Sequence, residues 1–304
     1  MRISLKDLTV LAQKSRQPKT KMQKVIVIVG QTATGKSALA IKLAKKLGGE
    51  VVSADSRQIY KGLDIGTGKI SKKEMSGIPH HLINVASPKY KFTVAEYQHK
   101  AIYAIAEILK RNKVPIICGG TGFYIDAVTE GIVLPRVPPN NKLRKKLYTQ
   151  SAIALYAYLQ KIDKRRVKDI DKNNKVRLIR AIEIAKYLGK VPKITKTKPK
   201  YNFVKIGIRV NEKDLRKNIE KRVVKMFKKG LLNEIKKLKQ SGVSSRRLKE
   251  FGFEYWKPTK ESVIMGTLKY AKRQNTWFKR DKKIKWFSPT EYKKIEKYVY
   301  EKVL

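Results

Sequence analysis

The sequence predicts an α/β fold built on a parallel sheet, and three observations carry the prediction. Short runs rich in β-branched residues recur at 25–29, 50–53, 114–118 and 204–210, each brief enough to be a strand buried on both faces. Amphipathic stretches of helical period lie between them. The first run, Val25-Ile26-Val27-Ile28-Val29, stops abruptly in Gly30-Gln31-Thr32-Ala33-Thr34-Gly35-Lys36-Ser37, which fits G-x-x-x-x-G-K-[ST] between a strand and a helix.

That loop predicts a phosphate cradle. Gly30 and Gly35 let backbone N–H groups close around an anion at the N-terminus of the helix that begins with Ala38-Leu39-Ala40, where the helix dipole also favours negative charge. Lys36 offers a point charge to the outer phosphate oxygens and the Ser37 hydroxyl offers a ligand to Mg²⁺. The expected core is therefore P-loop NTPase-like, with helices on both sides of the sheet.

Composition bounds the partners. The 304 residues, 41% of them hydrophobic, suffice for a full core with an appendage. No run approaches the roughly 18–20 apolar residues that span a bilayer, so no membrane partner is expected. The basic segment 1–23 reads as a disordered arm rather than a transit peptide. One cysteine and three histidines exclude a disulfide framework and a Cys/His zinc finger, so no zinc is expected and a reducing cytoplasm fits. The formal charge of +48, from 72 Lys+Arg against 24 Asp+Glu, points to a polyanion partner; a Lys-rich bias of the whole proteome would give the same sum.

The second strand delivers Ala54-Asp55-Ser56-Arg57-Gln58 to the carboxyl edge of the sheet, where α/β proteins bind ligands. A carboxylate there either accepts a proton or caps a helix, and the residue alone leaves both open for Asp55. Thr93 and Glu96 form a capping-box pattern ahead of a helix whose apolar positions recur to Leu109. The strand 114–118 ends in Cys118-Gly119-Gly120-Thr121-Gly122, with no Asp to help hold Mg²⁺ as a P-loop kinase requires. Nothing nearby marks Cys118 as an activated thiolate, so it reads as a small buried residue.

Prolines at 135, 138 and 139 interrupt the pattern, and basic helices follow around residues 143–147, 155–159 and 177–185. An inserted all-helical subdomain over 135–200 is predicted, leaving 24–134 and 201–304 as the core. Residues 212–238 read as one long helix with Leu215, Ile219, Val223, Met226 and Phe227 on one face.

Five segments in order resemble the tRNA dimethylallyltransferases, also called tRNA isopentenyltransferases. They are SADSRQIYKGLDIGTGK from Ser53, PHHLINV from Pro79, GGTGFYIDAV from Gly119, DKNNKVRLIRAIEI from Asp171 and YAKRQNTWFKR from Tyr270. The resemblance spans roughly residues 25–287. It implies transfer of a dimethylallyl group from dimethylallyl diphosphate to N6 of adenosine 37 beside the anticodon of tRNA, by a monomer that uses Mg²⁺. Asp55 would then be the base, with Lys36, Thr121 and Arg222 completing the catalytic set, and residues 30–37 would hold the diphosphate.

The resemblance also places tRNA contacts at Asp55, Ser56, Arg57, Gln58, Val176, Arg177, Leu178, Ile179, Arg180, Lys249, Gly252, Phe253, Arg273 and Gln274, with the insertion gripping the anticodon stem. Four positions depart from the family pattern: Asn218 stands where Arg is usual, Val224 where Asp is usual, and Phe253-Glu254 replaces Tyr followed by a base. Trp277 and Phe278 read equally as core packing or as stacking platforms. Three other classes compete: a free-adenylate prenyltransferase, which needs neither the insertion nor the charge; a small-molecule kinase, which lacks its strand-end Asp; and a non-catalytic RNA-binding protein, against which an intact Lys36, Ser37 and Asp55 count.

Overall fold

The structure, a computed structural model, describes residues 22–303. All but the last two residues of the predicted basic arm lie outside that range. Six strands form one parallel sheet in the order β3-β2-β4-β1-β7-β8. They are β1 (Lys24–Gly30), β2 (Gly49–Ala54), β3 (His80–His81), β4 (Val114–Gly119), β7 (Asn202–Ile208) and β8 (Lys285–Phe287).

The all-β-branched run of β1 is explained by its central place, flanked by β4 and β7. Val25, Val27 and Val29 face one core with Val52 and Ile117; Ile26 and Ile28 face the other with Val51, Ile116 and Ile206. Strand alternation therefore puts an apolar side chain on both faces, and none of the five is solvent-accessible. Helix α1 (Lys36–Leu47) contributes Ala40, Leu43 and Ala44 to the second core. Helix α3 (Val94–Lys110) contributes Tyr97, Ala101, Ile105 and Ile108 to the first, and it begins at the expected capping box of Thr93 with Glu96. The short α2 (Lys72–Met75) and α4 (Gly122–Thr129) follow β2 and β4.

Residues to Gly131, together with those from Lys198, form one compact unit, and Ile132–Thr197 forms a second. The second unit contains α5 (Asn141–Tyr148), α6 (Ala152–Ile162), a 3₁₀ turn at Arg166–Asp169 and α7 (Lys175–Leu188) around Leu147, Leu155, Leu159, Leu178 and Ile182. It is not wholly helical. Strands β5 (Ile132–Val133) and β6 (Thr195–Lys196) pair antiparallel, and so the unit begins three residues before the predicted start.

The predicted single helix over 212–238 is corrected to two, α8 (Glu212–Lys228) and α9 (Leu231–Gln240). Gly230 sits at φ 92, a left-handed conformation that glycine adopts without the Cβ penalty, and it breaks the helix there. The unit continues with α10 (Ser245–Phe251), α11 (Lys260–Phe278) and α12 (Tyr292–Val303). Leu215, Ile219 and Val223 of α8 pack with Val263 and Ala271 of α11. No helix among the described residues is long and apolar enough to cross a membrane.

Candidate active site

The loop after β1 turns where two residues have left-handed backbone: Ala33 at φ 61 and Gly35 at φ 85. At Gly30 a Cβ would lie 2.2 Å from the Ile208 carbonyl oxygen, so β7 leaves room only for glycine. The Thr34 hydroxyl donates to the Gln31 carbonyl at 2.8 Å, and the Lys36 ammonium donates to the same oxygen. The loop is also held from outside. Gln31 donates to the Ala271 carbonyl at 3.3 Å, and the Thr32 N–H donates to Gln274 Oε1 at 2.8 Å. Asn218, where the family pattern has Arg, donates to the Ala33 carbonyl at 3.2 Å, so this departure still serves the loop.

Beside the loop stands Asp55, just past the end of β2. Its Oδ1 accepts the backbone N–H groups of Arg57 at 2.8 Å and Gln58 at 3.1 Å. Among the described residues, Oδ2 enters no hydrogen bond. The two readings that the sequence left open are thus divided between two oxygens: one caps the turn and one is available. Thr121, just past the end of β4, accepts the Ser56 N–H at 3.0 Å and donates to the Ser56 hydroxyl at 3.3 Å.

Two cations interact electrostatically with this carboxylate. Burial pulls Lys36 down to about 8; Cys118 and Asp55 oppose the fall, and Arg222 adds to it. Arg222, from α8, is lowered by burial against the pull of Asp55 and Glu254. Its Nη2 donates to the Thr67 carbonyl at 2.7 Å, and a Cβ on Gly68 would lie 2.3 Å from that nitrogen. The loop bearing Thr67 is fixed by Glu234, whose carboxylate accepts the N–H groups of Asp64, Ile65 and Gly66 at 2.9, 2.6 and 3.1 Å and the Tyr255 hydroxyl at 2.9 Å. Lys69 is tied to the Tyr60 carbonyl and Asp64 at 2.6 and 2.7 Å. Burial pushes the Cys118 thiol up to about 11, which agrees with a packing role.

Ser37 is exposed at the start of α1, and β4 ends in Gly119 without an acid. Among the described residues no group of three His, Cys, Asp or Glu side chains could hold a metal ion. The donor set fits a hard cation held by one hydroxyl, with water and phosphate oxygens completing its shell.

One family model, described as IPP transferase, matches residues 58–281. The chain belongs to the IPP transferase family. A tRNA dimethylallyltransferase of Acaryochloris marina is 38% identical over 88% of this chain and 93% of its own. One from Halothermothrix orenii is 41% identical over 89% and 90%. The crystal structure of a full-length tRNA isopentenylpyrophosphate transferase from Bacillus halodurans superposes with TM-score 0.65 at 33% identity, covering 93% of this chain and 97% of that one. A eukaryotic dimethylallyltransferase, captured acting on tRNA, gives TM-score 0.74 at 27% identity over 92% and 77%.

Several residues that the IPP transferase resemblance placed at the RNA are engaged within the protein. Leu178 and Ile179 are 0% and 2% exposed in the core of the helical unit, so they cannot present a surface to RNA. On α7 they occupy the inward positions between Arg177 and Arg180, where their side chains serve packing. Arg180 donates to Glu183 and to the Val137 carbonyl, whereas Arg177 and Val176 are exposed. Gln274, also expected at the RNA, is 5% exposed. It spends its amide on Thr32 and, at 2.9 Å, on the Gly120 carbonyl.

Phe253 lies against Gly266, where a Cβ would be 2.4 Å from the ring, and its ring also meets Arg57. Arg57 forms an ion pair with Glu254, and Gly252 leaves room for its guanidinium. Lys249 and Arg273 are exposed, over the rings of Trp256 and Tyr270. Trp277 donates to Asp126 at 2.9 Å and covers Gly122, while Phe278 is 2% exposed; both pack the core. Sequence reasoning missed Tyr270, Glu234 and Lys69. Lys69 and Tyr270 sit inside segments that carried the resemblance and Glu234 lies outside all five, and no local pattern announces their partners.

Proposed function

We propose that this IPP transferase moves a dimethylallyl group from dimethylallyl diphosphate to N6 of adenosine 37 of tRNA, in the cytoplasm. The observation that carries the reading is the electrostatic coupling of Asp55, whose Oδ1 is held by its own turn, to Lys36 and Arg222, two cations that burial penalises. Two desolvated cations against one carboxylate favour an added anion, and a diphosphate is the anion that this loop suits.

As the C1–O bond breaks, the pair goes to the diphosphate oxygen, and Lys36, Arg222 and the loop N–H groups stabilise the charge that develops there. The N6 lone pair forms the new bond to C1. The proton that N6 then sheds goes to Asp55 Oδ2, while Oδ1 keeps the turn in place. Thr121, held by the N–H and hydroxyl of Ser56, sets the wall where the adenine enters. Ser37 would hold Mg²⁺, which when bound neutralises part of the leaving diphosphate's charge.

The base must leave its stack to reach this site. Ser56, Gln58, Lys249 and Arg273 are the expected contacts in the core, and Val176 and Arg177 those of the insertion, with the excess positive charge drawing in the RNA backbone. Nucleosides from unmodified tRNA incubated with the protein, Mg²⁺ and dimethylallyl diphosphate should contain a dimethylallylated adenosine by mass spectrometry. Unaltered adenosine throughout refutes the assignment.

A further inference from the structure

We propose that Glu254 is a positioning residue for this reaction: it anchors the Arg57 side chain and, through Arg57, fixes the turn that aims the unbonded oxygen of Asp55. The inference rests on the reading of Asp55 as the base.

Arg57 links two things that sequence does not. Its backbone N–H donates to Asp55 Oδ1, so the residue is part of the turn that presents the carboxylate. Its guanidinium reaches a site built by residues far along the chain. Nη1 pairs with Glu254, and the guanidinium carbon lies 5.3 Å from the centre of the Phe253 ring and 5.6 Å from that of Tyr270. At Gly252 a Cβ would stand 2.7 Å from Nη2, so the strand of residues leading to Glu254 is shaped to admit this group. Phe253 is in turn seated on Gly266 of α11, the helix that also carries Tyr270.

The same turn is held at a second point. The N–H of Ser56 donates to Thr121 Oγ1 at 3.0 Å, and the Thr121 hydroxyl donates to Ser56 Oγ at 3.3 Å. Residues 55–57 are thus held by Thr121 on one side and by the anchored Arg57 side chain on the other. Removing the ion pair would leave the backbone bonds of the turn but free the long Arg57 lever that sets its tilt.

Energetics favour positioning over stability as the reason for the pair. Glu254 is 7% exposed, and the desolvation of a buried ion pair offsets most of its attraction, so such a pair adds little net stability. A fixed orientation remains as its physical consequence. Where the family pattern has a base, this chain has an acid that serves an internal cation, and hence Arg57 is turned inward rather than offered to phosphate.

The test uses the full chain with tRNA, comparing Glu254→Gln, Arg57→Gln and the double variant by kcat, KM for each substrate, tRNA affinity and thermal unfolding. A displacement of the base by a fraction of an ångström to 1 Å predicts a kcat fall of about 10- to 100-fold in Glu254→Gln. KM for tRNA and for the diphosphate, and the salt dependence of tRNA binding, should stay within about twofold. The double variant should be no slower than Arg57→Gln, since both break one link. If Glu254→Gln does not fold, Phe253→Leu, which keeps the ion pair but loosens the guanidinium, must show the same split between kcat and KM.

Unchanged kcat in an active background, or a loss confined to tRNA affinity, overturns the positioning role while the function stands. A wild-type protein that prenylates no tRNA overturns the function, and this role with it.

Discussion

Gln274 of α11 and Thr32 of the phosphate loop are joined by a 2.8 Å hydrogen bond from the Thr32 N–H to the side-chain oxygen, while the same amide donates to the Gly120 carbonyl at 2.9 Å. One buried side chain thereby fixes the spacing between the phosphate loop and the turn after β4. The same helix receives Gln31 at the Ala271 carbonyl, so α11 braces the loop at two points.

Gln274→Leu orphans a part-buried N–H and a buried carbonyl. The expected cost is about 1–3 kcal/mol for each group, read as a lower midpoint in denaturant. The loop should also lose its hold on the donor, raising KM for dimethylallyl diphosphate more than KM for tRNA. Equal stability and equal KM values would show that the bridge is incidental.

Asp55→Asn keeps an oxygen to accept the Arg57 and Gln58 N–H groups and removes the proton acceptor. Turnover should fall by about 10² or more, with tRNA affinity within a few fold. Asp55→Ala should lose the turn as well and bind tRNA less well. Wild-type turnover in Asp55→Asn would reduce the residue to a cap.

Lys36 carries the pH dependence of donor binding. Burial lowers its ammonium to about 8, so the unliganded loop loses its proton as pH rises through that value. A diphosphate favours the charged form and raises the pKa on binding. Affinity for dimethylallyl diphosphate should therefore be full at pH 7, fall between pH 8 and pH 9.5, and be accompanied near pH 8 by proton uptake in calorimetry with two buffers. Lys36→Met should abolish both the uptake and the pH dependence.

Lys205 of β7 is 4% exposed and bridges Glu130 and Asp281 at 2.7 and 2.6 Å. Lys205→Met removes the buried cation that the two carboxylates share, while Glu130 keeps Lys283 at 3.9 Å, at an expected cost of up to about 3–5 kcal/mol. In the native protein burial would raise Asp281, but Lys205 and the Lys283 N–H outweigh it and hold the carboxyl below its ordinary 3.8. A depressed acid contributes its stability above the unfolded pKa and loses it as pH falls through the folded one. The gap between native protein and variant should therefore be widest above about pH 5 and shrink in acid, as followed by chemical denaturation.

What the sequence revealed was local. The loop, the doubly buried β1 and the capping box of α3 each depend on residues a few positions apart, and each stands where the spacing put it. The break at Gly230 was hidden because Leu231 and Ile235 continue the apolar pattern of α8, although the chain has turned. Leu178 and Ile179 neighbour Arg177 and Arg180 in sequence, but a helix sends neighbouring residues to different faces, and these two side chains turn inward. The pairings of Gln274 with Thr32 and of Arg57 with Glu254 join residues some two hundred positions apart. No periodicity encodes such contacts, and only the fold brings them together.

The central claim is that this phosphate loop binds a leaving group rather than a phosphoryl donor. The direct measurement is diphosphate release beside nucleoside mass spectrometry, with an anticodon stem-loop, AMP or no acceptor, and with ATP offered in place of dimethylallyl diphosphate. The account predicts one diphosphate per dimethylallylated adenosine with the stem-loop, little product from AMP, and no phosphoryl transfer from ATP. Phosphorylation of any acceptor by ATP, or AMP used as readily as the stem-loop, would contradict it.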